Sequence, residues 1–204
     1  MTEFVLVRHA LPVAGHPDPE LSAEGREQAR RLGRWLAAER FDAIVASPLR
    51  RAVETAAIVA AGMGSGDVAY LDELSELVEE AKSDEHYVPA EQLFTDHPIA
   101  LALAEGRYED VQPRHEWDNF RARAAAARAR LLERHPAGRT LVVAHGGIIN
   151  AMLASILQLP GVFWFYPGYT SMSRMESLPS GRLVVRSVNE TPHLTVHLRM
   201  DTGT

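Results

Sequence analysis

Three apolar runs, residues 4–7, 43–46 and 140–144, lack the polar–apolar alternation of a half-exposed strand, and each is followed by a stretch with helical features. Unbroken runs rich in Val, Ile and Leu suit strands covered on both faces, and strand–helix order repeated along a chain joins such strands in parallel. The pattern predicts an α/β fold: a three-layer sandwich with a mostly parallel central sheet and helices on both faces.

The linking segments support this order. Residues 25–40 place Ala29, Leu32 and Leu36 on one helical face with charges opposite. After the second run, Ser47-Pro48 reads as an N-cap followed by proline at the first helical position, with a helix over 49–61. After the third, Gly146-Gly147 permits a tight turn into a helix over 148–157. Residues 117–135, rich in alanine and arginine, read as a helix returning to the sheet. Residues 182–188 and 193–199 alternate as edge or antiparallel strands do. The glycine-rich stretch 62–66 follows a helix rather than a strand, and so reads as plain loop.

A length of 204 residues fits one domain, 1–204, with an inserted subregion. Residues 72–118 form that candidate insert: they hold 14 acidic residues against Lys82, Arg107 and Arg114, with His86, His97 and His115, and show no strong strand pattern. A small cap of helices and loops is expected there, with most of its charges forming a solvated face.

Charge and composition then narrow the function. A formal net charge of -6 gives no support to broad binding of nucleic acid or an anionic membrane. The absence of cysteine removes disulfides, thiolate metal sites and cysteine-based phosphatase chemistry together. No apolar run approaches the roughly 18 residues that span a bilayer, and no signal-peptide pattern opens the chain. A cytoplasmic protein is expected.

In an open parallel sheet the reactive crevice lies beyond the carboxyl ends of the strands. Those ends carry Arg8-His9, residues 47–51, and His145 with Gly146 and Gly147. Two imidazoles and at least two guanidiniums in one crevice call for a counter-anion. A phosphoryl group fits: arginine offers paired donors, and helix starts near Ser47 and Gly146-Gly147 offer oriented N–H groups. Two histidines could also ligate a metal, but adjacent arginines repel a divalent cation and no metal-binding spacing occurs. No metal and no cofactor is expected, and the implied partner is a small phosphorylated substrate.

The stretches VLVRHA (5–10), LSAEGREQA (21–29), SPLRRAVETA (47–56), EWDNFRAR (116–123) and VVAHGGIINAML (142–153) occur in this order. On them the chain resembles the histidine phosphatase superfamily, the phosphoglycerate mutase-like proteins, over nearly its full length. The resemblance implies that His9 is the nucleophile that becomes phosphorylated, with Arg8, Arg51, His145 and Gly146 around the phosphoryl oxygens. It favours Arg51 over Arg50, because the family's binding arginine immediately precedes an alanine, here Ala52. It further implies an acid at the start of the insert in a pattern like Asp-x-Leu-x-Glu. Residues 72–76 fit with Glu76 in the acid position; Glu73, Glu79 and Glu80 are the alternatives.

Where many relatives continue Arg-His-Gly-Glu-Thr, this chain has Ala10, Leu11 and Pro12, and residues 77–80 replace a glycine-rich segment common in the mutases. These departures and the acidic insert weigh toward a metal-independent phosphomonoester hydrolase. A phosphoglycerate-type mutase and a non-catalytic phosphate-binding homologue are the competing expectations. Ser47 lies outside any Gly-x-Ser-x-Gly context and is expected only to cap a helix. His86, His97 and His115 are expected to be exposed or locally bonded, and Trp164, Phe165, Tyr166 and Tyr169 to pack a core or an interface. No pattern in the chain specifies an oligomeric state.

Overall fold

The three apolar runs lie side by side in a six-stranded sheet. The structure is a computed structural model, and it describes residues 1–14, 18–76, 98–111 and 113–194. The strands are β1 (Thr2–Arg8), β2 (Ala43–Ala46), β3 (Ala69–Tyr70), β4 (Gly138–Ala144), β5 (Met172–Ser177) and β6 (Leu183–Glu190), in the order β3-β2-β4-β1-β5-β6. The pairs β1–β4, β2–β4 and β2–β3 are parallel; β1–β5 and β5–β6 are antiparallel. Register sets Arg8 opposite Ala144 and Ala46 opposite Val143, so the parallel strands finish at one edge. That alignment brings residues 9, 47 and 145 to a common rim.

Successive strand side chains point to opposite faces, and with both faces covered every position is apolar. Val5, Val7, Ile44, Ala46, Leu141 and Val143 pack in one cluster with α1 (Ala23–Leu36) and α2 (Arg50–Gly62). Phe4, Leu6, Val45, Val142 and Ala144 pack in a second cluster, beneath α4 (Arg114–Arg134) and α5 (Gly146–Leu157). Burying one such Leu contributes about 1.5–3 kcal/mol, and truncating it to Ala costs more because a void remains. Among the described residues, no helix is long and apolar enough to cross a membrane.

α1 begins where Ser22 Oγ accepts the Gly25 amide at 3.0 Å. Gly25 is required there, because a Cβ would overlap the Leu11 carbonyl oxygen. Leu11 donates from its amide to Gln28 Oε1 at 3.1 Å, so the segment after β1 is tied down against α1.

The structure corrects several boundaries. α2 begins at Arg50 with Leu49, not Ser47, as its N-cap, so Pro48 lies ahead of the helix. α1 ends at Leu36 rather than near residue 40. β5 went unread because its residues, Met-Ser-Arg-Met-Glu-Ser, bury polar Ser173 and carry Arg174 in an ion-pair network with Glu3, Glu39 and Glu190. The alternation at 182–188 corresponds to β6, whereas His193 and Leu194 lie in a turn and residues 195–199 fall outside the described residues. Within 72–118 the described residues include 3-10 turns at Asp72–Leu74 and Tyr108–Asp110 and the helix α3 (Pro98–Ala104).

Candidate active site

At the end of β1 the backbone is pinned on both sides. Arg8 donates its amide to Ser171 O at 3.2 Å, and His9 donates its amide to Ala144 O at 2.9 Å. The Ala10 amide donates to Thr55 Oγ1 at 3.0 Å, and that hydroxyl donates to Arg51 O at 2.6 Å. A strand end held this way fixes the His9 ring.

His9 Nδ1 lies 2.8 Å from Ala10 O. A carbonyl can only accept, so Nδ1 carries the proton and Nε2 presents its lone pair. Arg51 Nε donates to that Nε2 at 3.3 Å, consistent with this tautomer. Burial, then the positive charges of Arg51 and Arg8, push the His9 pKa well below the ordinary imidazole value. The ring is therefore neutral at neutral pH.

Arg51 is the second residue of α2, and its side chain is buried, whereas that of Arg50 is 54% exposed and pairs with Glu20. Successive helical residues point about 100° apart, so one of two adjacent arginines faces the site and the other faces water. Asp18 accepts the Arg50 amide and stands 3.5 Å from Arg51 Nη1, placing a carboxylate at the positive start of α2.

His145 is the N-cap of α5 and fully buried, its ring centroid 5.1 Å from that of His9. Its Nε2 lies 2.8 Å from Ser47 Oγ, and its Nδ1 has no hydrogen-bond partner among the described residues. Burial, followed by the charge of Arg51 and then the neighbouring His9 and Arg8, depresses its pKa as well. Ser47, expected to cap a helix, instead sits beneath this imidazole while accepting the Leu49 amide.

Arg8 is held by the segment that leads into β5. Its Nη1 donates to Pro167 O at 2.6 Å and to Tyr166 Oη at 2.9 Å, and its Cζ lies 3.8 Å from the Tyr169 ring centroid. Tyr166 and Tyr169 thus contact the cationic cluster rather than merely packing. Trp164 and Phe165 follow the packing expectation against buried Asn150, whose Oδ1 accepts both their amides. Gly146 opens α5 beside Arg8: a Cβ there would lie 3.7 Å from Arg8 Nε.

Glu76 reaches the same helix start, its Oε2 accepting the Gly147 amide at 2.9 Å and its carbonyl accepting Arg123 Nη2 at 2.6 Å. Glu73 stands 3.6 Å from Arg130, and Glu79, Glu80, His86 and His97 fall outside the described residues. His115 is exposed beside Glu116. Sequence reasoning missed Asp18, Thr55, Arg123, Tyr166 and Tyr169 as neighbours of the cluster. Thr55 and Arg123 lay inside matching stretches, but the others reach the site only through folding. Among the described residues no group of three or more His, Asp or Glu side chains is placed to hold a metal ion.

The fold and the site define a class: an α/β protein with a buried imidazole–guanidinium cluster at the carboxyl ends of its parallel strands. The chain belongs to the histidine phosphatase superfamily (branch 1), whose pattern matches residues 4–191. It is 30% identical over 161 residues to phosphoglycerate mutase-like protein 4 of Arabidopsis thaliana, covering 74% of this chain and 69% of that one. It is 29% identical over 166 residues to the uncharacterized phosphatase PhoE of Bacillus subtilis, covering 76% and 78% respectively. In three dimensions it resembles a phosphoserine phosphatase from Entamoeba histolytica solved with 3-phosphoglyceric acid, with a TM-score of 0.75, 23% identity, and coverage of 96% of this chain and 100% of that one. Phosphatases and mutases thus both occur among its relatives.

Proposed function

We propose that this protein is a phosphomonoester hydrolase that works without a metal, through a phosphohistidine at His9. The observation that carries the reading is the His9 tautomer: Nδ1–H is committed to Ala10 O, and the neutral Nε2 faces the Arg51 guanidinium.

In the first step Nε2 attacks phosphorus, an N–P bond forms and the ester P–O bond breaks. Positive charge then develops on the ring, and the Ala10 carbonyl accepting from Nδ1–H stabilises it. Arg8, Arg51, His145 and the amide of Gly146 surround the phosphoryl oxygens and offset their charge; preorganised donors of this kind act most strongly where water is excluded. Glu76, in its protonated form, delivers the proton to the departing oxygen. In the second step its carboxylate takes a proton from water, the resulting hydroxide attacks phosphorus, and phosphate leaves with the His9 lone pair restored. Small phosphorylated molecules are the substrate class.

Hydrolysis of p-nitrophenyl phosphate in the presence of a chelator, by wild type and His9→Ala, tests the reading. Phosphate release by the wild type alone supports it, and equal rates end it. A mutase reading draws on the names of relatives such as the 2,3-bisphosphoglycerate-dependent enzyme of Methylorubrum extorquens. The acidic residues concentrated between 72 and 118 weigh against a doubly anionic substrate. A coupled assay with 3-phosphoglycerate separates the two: isomer formation faster than phosphate release selects the mutase.

A further inference from the structure

Residues 169–171 close around the end of β1. Ser171 O accepts the Arg8 amide, the Thr170 amide donates to Arg8 O at 3.0 Å and more weakly to His9 O at 3.4 Å, and the Tyr169 ring lies beneath the Arg8 guanidinium. The Tyr169 and His9 ring centroids are 5.6 Å apart. This turn therefore determines where both Arg8 and His9 stand.

Its centre is strained. Thr170 has φ +56° and is fully buried. A β-branched residue in the left-handed region persists only where its surroundings hold it there. One holding contact comes from the Thr170 hydroxyl itself, which donates to Tyr169 O at 2.7 Å. With its hydrogen spent, Oγ1 must accept from its second neighbour, His193 Nε2, at 2.9 Å. His193 is 8% exposed and lies beyond β6, far along the chain from position 9. Burial and then the charge of Arg31 lower its pKa to about 4, so it is a neutral Nε2–H donor at neutral pH.

The geometry points to His193 as a positioning residue: its hydrogen bond to Thr170 locks the 169–171 turn and, through it, the placement of Arg8 and His9. This rests on the reading of the pocket as a phosphoryl site. His193 touches no reacting atom; it acts through one hydroxyl.

The test compares His193→Ala, His193→Gln, Thr170→Val and the double variant His193→Ala/Thr170→Val. Gln can present an amide donor close to the position of Nε2, so it should recover what Ala loses. Readouts are kcat/KM on p-nitrophenyl phosphate, Kd for inorganic phosphate, Tm, and the ring-nitrogen NMR shifts of His9 in ligand-free protein. His193→Ala should weaken phosphate binding and kcat/KM by about fivefold, the scale of one buried hydrogen bond. The double variant should be no worse than its poorer parent, since both changes break one contact. A lowered Tm with phosphate Kd and His9 shifts unchanged, or independent additive losses, overturns the inference. If His193→Ala does not fold, Thr170→Val and His193→Gln decide the matter on the same readouts. Wild type that binds phosphate without hydrolysing it defeats the proposed function while leaving this inference to be judged on Kd. If it binds neither substrate nor phosphate, the His9 shifts alone decide.

Discussion

The Glu76 carboxylate accepts the amide hydrogen of Gly147 at 2.9 Å, so the proposed acid docks on the first turn of the helix that His145 caps. A Cβ at position 147 would overlap Glu76 Oε1. The bare glycine is what lets a carboxylate approach α5 from this side.

Gly147→Ala should therefore behave as a Glu76 variant. Both Gly147→Ala and Glu76→Gln should lower kcat by about 100-fold or more, the lower range for loss of general acid–base catalysis. Inorganic phosphate should still bind. Steady-state kinetics on p-nitrophenyl phosphate check this, and a Gly147→Ala enzyme with wild-type kcat refutes the placement of the acid.

The two adjacent arginines should separate cleanly. Arg51→Ala removes a buried donor beside His9 and should reduce kcat/KM by roughly 100- to 1000-fold, as for loss of one transition-state donor. Arg50→Ala removes an exposed pair with Glu20 and should change stability by no more than about 1 kcal/mol, with kcat/KM within a few-fold of wild type. Similar losses from both would contradict the assignment.

Ser47→Ala should cost activity without moving α2. The Ser47 hydroxyl meets His145 Nε2 at 2.8 Å, and its loss leaves that nitrogen buried without this partner. A single buried hydrogen bond is worth about 1 kcal/mol, so kcat/KM should fall about fivefold while helical circular dichroism is retained. Loss of helix content instead would return Ser47 to a capping role.

Stability should fall as the solution is acidified through the ordinary histidine range. His9 and His145 have depressed pKa values in the folded protein, so below about 6.5 the unfolded chain takes up protons that the native state refuses. The unfolded state then binds more protons, and stability rises with pH. Stability contributed by the neutral buried rings is present above the unfolded value and declines below it, by about 1.4 kcal/mol per pH unit for each group. Denaturant midpoints between pH 7.5 and 5.5 measure the slope. His145→Asn, which removes one titrating ring, should make it shallower; an unchanged slope would show that the ring is not held neutral.

Much of the fold was legible because it follows from local chemistry. Continuous apolar runs suit strands covered on both faces, and the spacing of Ala29, Leu32 and Leu36 marks α1 within one short segment. Arg8, His9 and His145 stood out for the same reason, since each sits at or just beyond the end of a recognisable strand, whereas Arg51 was preferred to Arg50 only through the family resemblance. β5 was not legible: its Arg174 is satisfied by Glu3, Glu39 and Glu190, partners supplied by other strands and loops of the chain.

The order of residues alone determined the three-layer architecture and which strand ends would carry imidazoles and guanidiniums, because hydrophobic period and turn chemistry act over a few neighbouring positions. Only the tertiary structure decided that Ser47 serves His145 rather than a helix end, that Tyr166 and Tyr169 hold Arg8, and that Asp18 stands beside Arg51. Those contacts join side chains 33 to 161 residues apart, and no short-range pattern records which of them the packed sheet will bring within hydrogen-bonding distance.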